Sequence, residues 1–479
     1  MIRLGGLVME LTLGHVIGLT LTILLVIGSG LYSARTVTSA EGYSLGGRSA
    51  GTALVAGSIA GTVIGGGATV GTAQMAYSLG LSAWWFTLGS GIGFIIMGLF
   101  YARPLRRTGL ETIPQYLVAN YGRLAGPLVS VISSLGILLS AVASCLPGIQ
   151  LIAAMFHLGP WPAALLLMLL VAAYVFFGGI KSAGVAGMLK MVIIWLTLLA
   201  AGSTAWLALR EMPVFALHFP DFPWFSLWGH GFWAGLGNLF SLIVGIMCTQ
   251  TYIQSIFSAA DSRTAAAGAF VAALIVIPVG LPSIAIGMFM HAAHPAMLPI
   301  LVLPGYLLQY QPAWLGGIGL AGILLSLIGS IAGLTLGIGT MLSRDICAEL
   351  FQVKSSQTLL WINRGIILLV MGLACLIAVA HLQSQVLLWN YLSMALRGGG
   401  VFLPLTLAIF APGRLPGSWA LASMAISTLT AILAATVLTV PVDPLFIGLA
   451  VSAGIILAGL ISKRWQAGHR PAGKAHCSS

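Results

Sequence analysis

Two cations in this 479-residue chain sit where charge is hardest to hold. Lys190 lies inside the apolar run 182–209, and Arg397 lies inside the apolar run 385–411. A charged group inside a membrane is expensive, so it is a functional candidate by default. No carboxylate accompanies these two: Glu10, Glu41, Glu111, Glu211, Asp221, Asp261, Asp345, Glu349 and Asp443 all fall in loops or at the ends of apolar runs. A guanidinium offers a planar fork suited to a carboxylate. That makes Arg397, roughly 16 Å into its run at 1.5 Å per residue, a candidate for binding an anionic solute. An ammonium can donate to three acceptors, and a buried one could load and release a proton. Lys190 follows Lys181 by about nine residues, so it reaches roughly 13 Å into the apolar layer. The plainer alternatives are that Arg397 is neutralised by backbone carbonyls or snorkels along a cavity, and that Lys190 points into an aqueous vestibule.

The second chemical feature is backbone. The run 50–78 contains Gly61-Thr62-Val63-Ile64-Gly65-Gly66-Gly67. Each glycine costs a helix roughly 1 kcal/mol relative to alanine. Opened backbone in a bilayer core is tolerated only where it lines a cavity or is buried in protein. Broken helices of this kind mark midplane substrate sites, which makes Gly65, Gly66, Gly67 and the adjoining Ala68 candidates for lining one. Close helix packing is the other explanation. Gly398-Gly399-Gly400 follow Arg397 directly, and Ser326, Gly329, Ser330 and Gly333 form a small, polar stripe at helical spacing.

The elements that position these residues follow from hydropathy. The chain is 59% hydrophobic and 6% charged, with a mean hydropathy of +1.05. An ordinary soluble domain carries about 25% charged residues. A span needs about 20 apolar residues. Runs of that kind fall at 9–33, 50–78, 81–102, 124–156, 160–177, 182–209, 229–257, 264–290, 314–342, 361–381, 385–411, 417–440 and 443–462. The expectation is an all-α polytopic membrane protein of about thirteen spans. A single transmembrane domain covers 1–464, and a short basic tail covers 465–479 on the cytoplasmic side.

Composition also excludes. The net charge of +11 could suggest nucleic acid. With thirteen spans and the N-terminus outside, however, sixteen of the twenty basic residues fall on the cytoplasmic side, only Arg3 and Arg210 fall outside, and Lys190 and Arg397 lie within spans. The excess is a topology signal, and nucleic acid is not needed to explain it. Cys145, Cys248, Cys347, Cys375 and Cys477 have no metal-type spacing and read as packing residues. No HExxH, no GxSxG in context and no intramembrane carboxylate pair is present, which argues against an enzyme. No appended domain supports a membrane sensor.

The motifs together resemble the sodium:solute symporter family, whose members carry proline, pantothenate, sugars and sialic acid. Glu41-Gly42-Tyr43-Ser44-Leu45-Gly46-Gly47-Arg48 looks like its Gly-rich, Arg-ended loop. Ile113-Pro114-Gln115-Tyr116-Leu117 through Tyr121-Gly122 looks like its cytoplasmic helix, and Gly178-Gly179-Ile180-Lys181-Ser182 like the turn before its sixth span. Gln250 and Gln254 sit at its paired-Gln motif, with Ser255 in place of the usual Arg. Asp345-Ile346 matches its Asp-Ile/Leu-Tyr ending, with Cys347 in place of Tyr.

The resemblance implies a LeuT-type fold: inverted repeats over about 50–209 and 229–411, one extra helix before them and two after. It implies secondary active transport of a small organic solute by alternating access, with family-type cation symport, no cofactor, and Na+ or H+ as the coupling ion. A sodium site carried over residue by residue takes carbonyls of Gly61, Ile64 and Ser326 and hydroxyls at positions 329 and 330. Ser330 supplies its hydroxyl; Gly329 cannot, and hard cations want several oxygens. The family's sixth-span Asp and Gln fall at Gly187 and Lys190. Lys190 is therefore a candidate replacement for the sodium ion, and a sodium-independent carrier is the alternative. Sugar-carrying relatives have polar side chains where Ala68 and Leu242 stand here, which lowers the odds of a sugar.

The charge asymmetry fixes a test. Reporter fusions should place 103–123 and the C-terminus in the cytoplasm and 210–228 outside; a C-terminus found outside would remove a span.

Overall fold

The computed structural model describes residues 11–34, 48–176, 179–212, 219–437 and 442–468. Most of the Glu41–Arg48 loop, the Phe177–Gly178 turn, part of 210–228 and the end of the tail lie outside the described residues. Among those described, the only β pairing is one parallel bridge, Ala50 to Ala259.

Every apolar run read from the sequence coincides with a helix or a broken helix. The first half comprises α1 (Leu13–Ala34), α2 (Thr52–Val63), α3 (Thr72–Leu79), α4 (Trp85–Ile96), α5 (Ala102–Arg107), α6 (Ile113–Tyr121), α7 (Ala125–Phe156), α8 (Pro160–Phe176) and α9 (Gly179–Arg210). The second half comprises α10 (Phe232–Met247), α11 (Gln250–Ser258), α12 (Ser262–Ala293), α13 (Val302–Gln309), α14 (Ala313–Met341), α15 (Ser356–Ala380), α16 (Val386–Phe410), α17 (Gly417–Thr436) and α18 (Pro444–Gly468). By length and apolarity alone, nine helical runs among the described residues could cross a membrane, or ten if α10 and α11, bent by 45°, are one span. One of the nine, Gly67–Arg107, is 41 residues long. The chain turns within it at Gly80, which takes φ +59°. Four shorter apolar helices include Leu13–Val26 and Thr52–Val63.

Three helices hold the centre. In α14 the most apolar window is 89% buried, far more than in its neighbours; such a helix is surrounded by protein. It packs against α1, α7 and α9, while α16 packs against α7 and α10, and α12 against α3, α4 and α9. Glycine makes these approaches close. A Cβ on Gly18 would lie 2.6 Å from the Trp314 carbonyl oxygen, and one on Gly287 2.6 Å from that of Ala73. Backbone cannot rotate away as a side chain can, so the helices would have to separate.

Overpacking of this kind costs about 1–3 kcal/mol. Gly287→Val should therefore lower the melting temperature of the detergent-solubilised protein by several degrees. Gly372→Val, where an added Cβ meets nothing within 4 Å, should leave it nearly unchanged.

Candidate solute and cation site

The glycine run does break its helix. α2 ends at Val63, Ile64 takes φ −75° and ψ 71°, and regular backbone resumes as a π-helical turn over Gly67–Gly71 that leads into α3. Inside an apolar bundle the freed carbonyls need donors. Two come from α14: the Ser326 hydroxyl donates to the Ile64 carbonyl, and the Ser330 hydroxyl donates to the Thr62 carbonyl. The Thr69 hydroxyl donates to the Gly65 carbonyl at 2.8 Å, and that of Thr72 to the Gly67 carbonyl at 2.8 Å.

Lys190 reaches the same place from α9. It is 3% exposed, and its Nζ donates to the Ser326 carbonyl at 3.3 Å. Its stem passes Gly61, where an added Cβ would lie 3.5 Å from Cε, and its ammonium occupies the space beside Gly329 that a side chain there would need. Gly61, Ile64, Ser326, Gly329, Ser330 and Lys190 are thus brought together at one point between α2, α9 and α14. As it stands, the Lys190 ammonium bonds the Ser326 carbonyl and fills the space beside position 329, which offers no hydroxyl; the Ser326 and Ser330 hydroxyls donate their protons to backbone carbonyls and keep oxygen lone pairs.

A cavity adjoins the break. Its walls include Gly65, Gly66, Gly67, Phe86, Ser90, Ser140, Ser144, Tyr252, Ser330, Asn390 and Met394. Its volume is about 20 Å³, room for about one water, so a solute fits only if helices move. Gly67 is needed for the wall to close: a Cβ there would lie 2.6 Å from the Phe86 ring and 2.9 Å from the Asn390 amide. Ala68 and Leu242 are buried but are not among the walls, and Leu242 packs against Gly89.

Arg397 lies behind the wall. It is fully buried. Nη2 sits 3.5 Å from the Ser140 hydroxyl and 2.7 Å from the Met394 sulfur, and both of those residues face the cavity. Nε and Nη1 have no hydrogen-bond partner. A buried guanidinium with two unmatched donors is costly unless an acceptor arrives.

Sequence reasoning missed Phe86, Tyr252, Asn390 and the α7 serines. Ser140 and Ser144, four residues apart on an apolar helix, were a readable signal. Phe86 offered none.

The model of the sodium:solute symporter family matches residues 43–211. The high-affinity choline transporter 1 of Drosophila melanogaster is 23% identical over 404 residues, covering 80% of this chain and 65% of that protein. That of Torpedo marmorata is 26% identical over 434 residues, covering 85% and 74%, and that of Homo sapiens is 26% identical over 431 residues, covering 83% and 73%. Among solved structures, a substrate-bound, outward-open Na+-coupled sialic acid symporter superposes with a TM-score of 0.75 at 17% identity, over 95% of this chain and 98% of that one. A nucleobase-cation-symport-1 family transporter in a closed conformation superposes with a TM-score of 0.62 at 11% identity, over 90% and 96%.

The fold is LeuT-type, as in these solved transporters, and the broken helix with its adjoining small cavity lies within that fold. The resemblance read from the sequence is borne out as a similarity: the sodium:solute symporter model matches residues 43–211, and choline transporters match over most of the chain.

The pair Lys190 and Gly329 gives a stability test. Gly329→Ser should lower the melting temperature in the parent protein and be tolerated when combined with Lys190→Ala. A double-mutant cycle should show a coupling of about 0.5–3 kcal/mol, the range for residues in contact. Additive effects would mean that the ammonium does not sit against position 329.

Proposed function

We propose that the protein moves a small carboxylate-bearing solute across the cell membrane by alternating access, coupled to a cation gradient. One observation carries the choice of solute. Arg397 is fully buried with two unmatched donors and touches the cavity walls Ser140 and Met394. The other buried cation, Lys190, also has no carboxylate partner among the ion pairs of the described residues. Asp345, buried too, bonds Ser130 of α7, ten residues or roughly 15 Å from Ser140 by helix rise. A solute with net positive charge would add to this imbalance, whereas a carboxylate relieves it. Aromatic walls at Phe86 and Tyr252 would accept an apolar or quaternary ammonium portion, so a zwitterion bearing both groups suits the site. Choline, named for the relatives, is the competing solute.

The coupling ion has two readings. In the first, sodium enters as in the family, with Gly61, Ile64, Ser326 and Ser330 as its ligands, once Lys190 swings away. In the second, Lys190 stands in for the ion and uptake is independent of sodium, driven by protons or by exchange. The similarity to sodium:solute symporters supports the first, and the contact of Nζ with the Ser326 carbonyl is the observation behind the second. The positive-inside count supports an N-terminus outside and a cytoplasmic C-terminus. Residues 50–209 and 229–411 are the two repeats of one transmembrane domain.

Proteoliposomes test both points. Binding of glycine betaine, proline, short carboxylates and choline should favour a carboxylate. For that solute Arg397→Lys should weaken affinity about tenfold or more while the protein still folds; unchanged affinity would rule the assignment out. Uptake under separate sodium and proton gradients decides the coupling ion. A sodium requirement gained in Lys190→Gln combined with Gly329→Ser would fix Lys190 as the stand-in.

A further inference from the structure

Gln250 lies outside the cavity, yet it is fully buried and its side-chain amide is matched at both ends. Its Oε1 accepts from the Ile113 amide at 3.0 Å, and its Nε2 donates to the Glu111 carbonyl at 3.0 Å. Both partners are backbone at the start of α6. The same end of α6 is tied to the end of α14. The Thr112 hydroxyl, which caps α6 by accepting from the Gln115 amide, donates to Asp345 at 2.8 Å. Ser130 of α7 donates to the other carboxylate oxygen at 3.2 Å, and Arg344 pairs with Glu111 at 3.2 Å. Asp345 sits in a seven-residue π-helical turn, Leu342–Ala348, a local unwinding frequent at functional sites. The far end of α6 hangs on α16, with the Tyr121 hydroxyl donating to the Pro404 carbonyl at 2.8 Å and the Tyr116 hydroxyl to that of Ala408 at 3.3 Å.

α6 is therefore a strap across one end of the bundle, its start fastened both to α11 and to the end of α14 and its later turns to α16. The α11 fastening differs from the rest. α11 follows a bend of 45° from α10, and Tyr252, two residues past Gln250, is a wall of the cavity. A rearrangement of α11 around a solute must carry Gln250 with it, and with Gln250 the α6 backbone.

We propose that α6 is the gate on the face of the bundle bearing 103–123, cytoplasmic in the orientation above, and that Gln250 is the positioning residue that holds it shut. The inference rests on the alternating-access reading, but its test needs neither a solute nor an ion gradient, so the two can fail separately. Full-length protein is reconstituted with Cys347→Ser and Cys477→Ser, and Ser144→Cys serves as the reporter in the cavity wall. A membrane-impermeant maleimide is added to one face at a time. Gln250→Ala should raise reporter labelling from the α6 face about tenfold and leave labelling from the opposite face unchanged or lower. Gln250→Glu keeps the acceptor, loses the donor and should fall between. Thr112→Val, which removes the tie to Asp345, should open the same face if Gln250→Ala does not fold. Labelling unchanged from the α6 face in a folded variant, or raised equally from both faces, would overturn the proposal.

Discussion

The constraint on which this structure depends is the unpaired backbone of the α2 break. A helix opened in the middle of an apolar bundle exposes carbonyls that neither lipid nor neighbouring leucines can satisfy. Here α14 satisfies two of them with Ser326 and Ser330. That requirement explains why α14 is the most enclosed long helix and why small residues line it near the break. Gly333 leaves room for Thr62, and Gly329 leaves room for Lys190. The cavity is a consequence. Once the backbone is held open by hydroxyls from a neighbour, polar groups face one another across a gap that a solute can enter.

The two buried cations solve different problems at that gap. Lys190 has an acceptor, the Ser326 carbonyl, so its positive charge is spent on the scaffold that the break requires. Arg397 has a sulfur, one distant hydroxyl and two unmatched nitrogens. The two cations thus differ in how well they are satisfied: Lys190 has a backbone acceptor, whereas two nitrogens of Arg397 have none.

Much of this was legible in sequence because membrane chemistry writes in long, coarse signals. Every apolar run became helical, and the glycine run 61–67 became a break. Lys190 and the α14 stripe, 136 residues apart, were joined only through the family resemblance; nothing in the local sequence brings them together. The walls were the illegible part. Phe86 faces the cavity because α4 packs with α10 and α12, and an aromatic on a membrane helix carries no mark of which way it points. Ala68 and Leu242 illustrate the converse: adjacency to a motif does not fix orientation, since one residue along a helix turns a side chain by about 100°. The span count stayed coarse for a related reason. Where a helix turns without a polar loop, as at Gly80, length and hydropathy do not mark where one span ends.

A carrier must also avoid opening on both sides at once, and the fastenings of this bundle suggest how close packing does that work. The side-chain Oε1 of Gln74 in α3 accepts from the Val386 amide at the start of α16 at 3.0 Å, near the end opposite to α6. Gln250 of α11 binds α6 at the other end. α3 and α11 are each the second half of a broken helix, and the cavity is bordered by α2 before the first break and by Tyr252 of α11 after the second. Each broken helix thus carries one glutamine that closes one end. Short helices joined at a break hold to each other by few backbone bonds, such as Thr249 to Ile246 at 3.2 Å, which leaves the pieces freer to rotate than an unbroken ladder. The two ends are also joined by α16, whose start meets Gln74 and whose later turns hold α6, so a rearrangement at the cavity acts on each glutamine against one shared helix.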